Sequence, residues 1–268
     1  MPRAHPKLHA GGLLATMLAL GAAGCAVQAP RKPPATALAP PSLTAAYVAA
    51  ACTGKRVYRF SDTDSRVLVF VGKAGALSGA GHVHVVTVER IRGFAALGSR
   101  EAKADLVFPV TAMRVDPPAV RSALGAEYTE ADISADQRSG TRSNMLGALD
   151  AGRYPWVRLA ITRTDTMPEA SLQIRLVLHG QTRAFTAPAT LQTGASAIVA
   201  SGSFAILQSD FGIEPYSILF GALRVEDELR IRYHLVFHRW HPPDTTSCST
   251  PLLTPPISPP NTATSAAL

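Results

Sequence analysis

Downstream of its middle, the chain alternates apolar and polar side chains over several short runs. Leu172, Ile174, Leu176 and Leu178 alternate with Gln173, Arg175, Val177 and His179. Val157, Leu159 and Ile161 alternate with Arg158, Ala160 and Thr162. Leu229, Ile231, Tyr233, Leu235 and Phe237 alternate with Arg230, Arg232, His234, Val236 and His238. A period of two means a strand with one dry and one wet face. Shorter apolar runs predict further strands over residues 67–71, 82–88, 104–110, 184–189 and 202–207. Gly180-Gln181, set between two such runs, predicts a hairpin turn.

Residues 129–149 break the rhythm. They lack alternation, open with acidic residues and carry Met145, Leu146 and Leu149 at helical spacing, so one or two short helices are predicted there, capping an opening of the fold. Pro155 then ends the segment and starts the next strand. Many strands, one helical insertion and no strand–helix–strand repeat predict an all-β antiparallel barrel. A barrel of about eight strands has an interior just wide enough for its own side chains or for one slender ligand. Pattern alone leaves both outcomes open. A lumen of Leu, Ile, Val and Phe would suit an apolar molecule, because a polar one would lose its hydration without gaining partners.

The flanks have another character. Arg3 and Lys7 precede a short apolar run, Gly11 to Ala23, which reads as a signal peptide over residues 1–24. Ala22-Ala23-Gly24-Cys25 is similar to a bacterial lipobox, so Cys25 is the candidate lipidation site and the folded part is expected in the periplasm, anchored to an envelope membrane. Residues 25–54, rich in Pro and Ala, read as a tether, and residues 241–268, rich in Pro, Ser and Thr, as a disordered tail. The folded domain is expected over residues 55–240. Cys52 and Cys248 flank it, and the first and last strands of a closed antiparallel barrel are neighbours, so a disulfide between them is geometrically allowed in an oxidising compartment.

The formal net charge of +7 comes from scattered arginines, with no basic run and no interleaved aromatic platform. It reads as a basic surface or an affinity for anionic membranes or ligands, and it excludes a nucleic-acid partner.

Several ordered blocks resemble the YceI-like family. They are Tyr58-Arg59-Phe60, Ser65 to Phe70, Gly81-His82-Val83-His84, Gly152 to Leu159 with its Tyr154-Pro155 step, Leu176 to Arg183, and Gly202 to Ile213. The resemblance implies an extended lipocalin-like barrel, exported to the periplasm, holding an isoprenoid chain such as a polyprenyl quinone or polyprenyl phosphate. The Gly-His-Val-His block departs from many members and points to a variant group.

The candidate lumen residues, assigned from alternation, are Phe70, Leu106, Phe108, Leu159, Leu176, Leu178, Phe204 and Tyr233, with Met145 and Leu149 near the entrance. Arg142 and Asn144 sit beside apolar residues, and a guanidinium fork there could pair with a headgroup. Asp210 opens an Asp-Phe-Gly turn, read as a backbone cap as well as a mouth residue. His82 and His84 stand two apart, which on a strand gives one face; they read as headgroup partners or as half of a metal site. A hydrolase assembled from His82, Ser209 and Asp210 has no Gly-x-Ser-x-Gly elbow to expose a nucleophile, so no enzyme is expected and no cofactor beyond a bound lipid. Three readings follow: an isoprenoid-lipid carrier, a metal- or redox-linked binding protein built on His82 and His84, and a structural envelope module with a filled barrel.

Overall fold

Alternating strands with one apolar face must cover that face, and in the computed structural model of the chain they do so by curling one antiparallel sheet around a shared core. The structure describes residues 42–129, 132–164 and 171–242. Residues 1–24, Cys25, Cys248 and nearly all of the expected tail lie outside them.

Thirteen strands are present among the described residues: β1 Arg56–Phe60, β2 Arg66–Ala74, β3 His84–Val88, β4 Arg92–Leu97, β5 Glu101–Pro109, β6 Met113–Val115, β7 Trp156–Thr164, β8 Ser171–Leu178, β9 Gln181–Pro188, β10 Thr190–Thr193, β11 Ala197–Leu207, β12 Ser217–Ile218 and β13 Leu223–Arg239. The excess over the expected eight comes partly from short edge pieces such as β6, β10 and β12. The long β13 organises the rest. One edge pairs with β11 from Ala197↔His238 to Leu207↔Glu228. Its other edge forks, pairing with β2 through its first half and with β1 at its end, where Tyr58 faces Arg239. From β1 the ladder runs through β4, β5, β7 and β8 to β9; from β2 it runs through β3 to β6.

The first and last strands are therefore neighbours, as a closed barrel requires, but the hydrogen-bonded ladder is open between β9 and β11. Side chains bridge that seam. The Tyr233 hydroxyl donates to the Pro188 carbonyl (3.1 Å), and the rings of Phe185 and Phe204 meet at 5.2 Å. Gly202, opposite Tyr233, admits this approach: a Cβ there would stand 2.6 Å from both the Pro188 oxygen and the Tyr233 hydroxyl.

The hairpin between β8 and β9 turns at His179-Gly180, one residue earlier than expected. Both have positive φ, 50° and 73°, as a two-residue hairpin turn demands. His179 then bonds the Phe211 carbonyl through Nδ1 (3.0 Å) and stacks edge-on against Tyr154. Three of the sequence blocks above thus meet at one corner.

Four α-helices occur among the described residues: α1 Thr44–Cys52, α2 Pro118–Ser122, α3 Ala126–Thr129 and α4 Ala135–Ala148. None is long and apolar enough to cross a membrane. α4 starts at a capping box, with Ser134 accepting from the Gln137 amide and the Gln137 side chain accepting from Ser134 N–H. α1 lies inside the segment expected to be a tether, and so extends the folded domain upstream of residue 55. Tyr47 anchors it: fully buried, it stacks on Phe94 (5.2 Å) and donates to Asp105 (2.8 Å), and Trp240 closes over Phe94 (5.0 Å). Cys52, the last residue of α1, is disulfide-bonded.

Candidate functional site

Among the described residues, cavities of about 270 and 130 Å³ lie in the interior. The larger lies under α4 and is walled by β2, β3, β7, β8, β11 and β13. The smaller lies toward β10, between β4, β5, β7, β8, β11 and β13. Val67, Phe108, Leu159, Phe204 and Ile231 line both, so the two adjoin along one lumen. Leu159 stands between Leu106 and Leu176 in register, which makes a continuous apolar band across β5, β7 and β8.

Most of the candidate residues reach this lumen. Leu106 and Tyr233 line the β10 cavity, and Leu176, Leu178, Asn144, Met145 and Leu149 line the α4 cavity. Phe108, Leu159 and Phe204 line both. Burial raises the Tyr233 phenol above its usual pKa, in keeping with a hydroxyl tied to a carbonyl inside an apolar wall.

Four candidates stand elsewhere. Phe70 faces outward, where its ring meets Tyr128 (6.0 Å) and the Arg232 guanidinium (5.0 Å), while Val67, Val69 and Val71 take the lumen side. The run Val67-Leu68-Val69-Phe70-Val71 is apolar throughout, so nothing in it set the phase, and a slip of one inverts every side chain. Arg142 lines neither cavity. Its Nε and Nη2 donate to the carbonyls of Met113 (3.2 Å) and Thr111 (2.8 Å), which fastens α4 to the start of β6 and the turn before it. His82 precedes β3, is exposed and borders neither cavity. Asp210 is exposed on the turn after β11, outside both cavities; it is Asp227 that caps this turn, accepting from the Ser209 amide (2.8 Å) and hydroxyl (2.6 Å).

His84 does line the α4 cavity, on the same face of β3 as Val86 and Val88. It belongs to a network that no sequence signal announced. Asp116, fully buried with φ 48°, accepts from His84 Nδ1 (2.6 Å), from the Val85 amide (2.9 Å) and from Arg121 Nη1 (2.8 Å). Burial by itself would raise the Asp116 pKa; the bonds from His84, Val85 and Arg121 outweigh it and hold the carboxyl below its usual range. An ionised carboxylate can only accept, so His84 Nδ1 carries the hydrogen and Nε2 is left for other partners. Arg121 also donates to the Val83 carbonyl (2.9 Å) and lies over the Tyr128 ring. Gln208 also lines this end, and its amide donates to the Glu226 carbonyl (2.7 Å). No group of three or more His, Cys, Asp or Glu residues able to hold a metal ion occurs among the described residues.

The YceI-like domain family model matches residues 83–237. Among solved structures, BcnA of Burkholderia cenocepacia is 15% identical, with a TM-score of 0.48 over 66% of this chain and 98% of that one. A mutant CJ YceI protein crystallised with a monobromobimane guest is 14% identical, with a TM-score of 0.40 over 58% of this chain and 85% of that one. No curated protein matches by sequence. Because the family model spans more than half of the 268 residues, this chain belongs to the YceI-like domain family.

Proposed function

We propose that the protein is a non-enzymatic carrier that holds an isoprenoid-like lipid, a polyprenyl quinone or polyprenyl phosphate, in its lumen. The observation that carries this reading is the pair of adjoining cavities, lined almost wholly by aliphatic and aromatic side chains that leave the interior unfilled. An empty apolar volume of this kind forfeits dispersion contacts that a hydrocarbon chain would restore. A branched, unsaturated chain needs no hydrogen-bonding partners along its length, and the wall offers few. A filled-barrel module would leave that space unexplained, and His82 and His84 lack a third ligand among the described residues. In this reading the apolar run before Cys25 directs export, and acylation of Cys25 holds the barrel at the membrane from which its cargo comes.

The test is to purify the full chain gently from a bacterial envelope, analyse organic extracts by mass spectrometry and measure metals on the same sample. One long isoprenoid per protein is expected. Stoichiometric metal without lipid, or no lipid uptake even after incubation with polyprenyl donors, overturns the carrier. Leu176→Glu, which puts a charge into the α4 cavity, should abolish retention, and Ala104→Leu, which narrows the β10 cavity without adding charge, should weaken it. Unchanged lipid content in both folded variants would sink the lumen assignment.

A further inference from the structure

The β10 end of the lumen contains an arginine that the fold itself does not use. Arg163 follows Leu159 and Ile161 on the same face of β7, and all three line the β10 cavity. Its Nε is buried and has no hydrogen-bond partner among the described residues. A buried donor left without an acceptor costs free energy, and such a group calls for an explanation, of which an anion or ligand outside the chain is one. Among the described residues no acidic side chain lines this cavity, so none of them neutralises the guanidinium there. Lys103 borders the same space, but its ammonium lies over the Tyr47 ring, 5.5 Å from the centroid, and is engaged with α1. Arg239 adds a second case. On β13 it shares the face of Leu235 and Phe237, both lumen-lining, and its Nη1 is also buried without a partner, with the guanidinium 5.5 Å from the Tyr58 ring.

We infer that the Arg163 end of the lumen is an oxyanion subsite, which takes the phosphate or carboxylate head of an amphiphile whose apolar tail fills the cavities behind it. This rests on the carrier reading and sharpens it. A planar guanidinium presents donors in a fork that matches oxyanions, and an apolar surround strengthens the bond. The ligand then has a direction: head toward Arg163, tail running past Leu159 and Phe204 toward α4. His84, at the opposite end, is already held by Asp116 and is not the anion partner.

The same chemistry could come from a lipid head or from free phosphate, and the experiment separates them. The full chain is titrated with farnesyl phosphate, farnesol and inorganic phosphate, alongside Arg163→Met, which keeps the apolar stem, and Arg163→Lys. The wild type should bind farnesyl phosphate at least tenfold more tightly than farnesol, the scale of a charge-assisted hydrogen bond. Arg163→Met should erase that preference while leaving farnesol affinity unchanged, which also controls for folding, and Arg163→Lys should restore part of it. Equal affinity for the two isoprenoids, or a preference that survives Arg163→Met, overturns the subsite while leaving the carrier standing. Binding of inorganic phosphate that depends on Arg163, with neither isoprenoid bound, overturns the carrier and keeps the anion site.

Discussion

The two ends of the lumen treat their polar groups in opposite ways. At the α4 end His84 and Gln208, which line the cavity, are engaged by the protein itself, with Asp116 and with the Glu226 carbonyl. At the β10 end Arg163 and Arg239 each keep a buried nitrogen without an acceptor. The difference separates structure from recognition. A bonded group fixes the shape of a wall; Arg121 Nη2, also buried without a partner among the described residues, belongs to a side chain that lines neither cavity. An unsatisfied group in the lumen remains available to a molecule that comes from outside. Because both ends share the same apolar middle, the contrast also gives the lumen a polarity that its hydrophobic lining alone would not.

The largest expected effect comes from breaking the satisfied end. Asp116→Ala removes the acceptor of Arg121, His84 and the Val85 amide at once, and leaves a buried cation unpaired. Loss of one partner from such a pair costs about 3–5 kcal/mol, read as a lower urea midpoint. A loss below about 1 kcal/mol would mean that the network is peripheral to stability. By contrast Arg163→Met should leave stability unchanged or raise it slightly, because it removes an unsatisfied group.

Acid should act on the same end. The folded pKa of Asp116 lies below that of a free aspartate, so its contribution is complete above about pH 4 and disappears as pH falls through the lower folded value. The stability gap between the wild type and Asp116→Asn should therefore be constant near neutrality and close only below about pH 4. A gap that closes between pH 7 and 5 would implicate protonation of another group instead. The smallest effect is expected at the seam between β9 and β11. Tyr233→Phe deletes the bond to Pro188 and should cost about 1 kcal/mol, with faster amide exchange in β9 as the local readout.

How legible each part was depends on how its faces are covered. Strands β7, β8 and β13 were readable because one face is dry and the other wet, so Leu159, Leu176 and Tyr233 fall where alternation puts them. β4 was not: Ala95 and Leu97 line the lumen while Phe94 and Ala96 pack beneath α1, and burial on both sides erases the period of two. The same double covering, by α3 on the outside, misdirected Phe70. α1 itself looked like linker because its helical stretch is mostly alanine, and a single aromatic, Tyr47, holds it in place.

By itself, then, the sequence determined the class of the fold, an antiparallel all-β wall with a helix laid over one opening, and its YceI-like character. The first follows from period and from local turn chemistry, which neighbouring residues settle among themselves, and the second from the ordered blocks that resemble the family. Tertiary structure alone decided which charged side chains are consumed by the fold and which are left over. Arg121, Arg142 and Arg163 read alike in one dimension. Only the packing around them supplies a buried carboxylate to the first, two backbone carbonyls to the second, and to the third an apolar cavity without a carboxylate among its described lining residues.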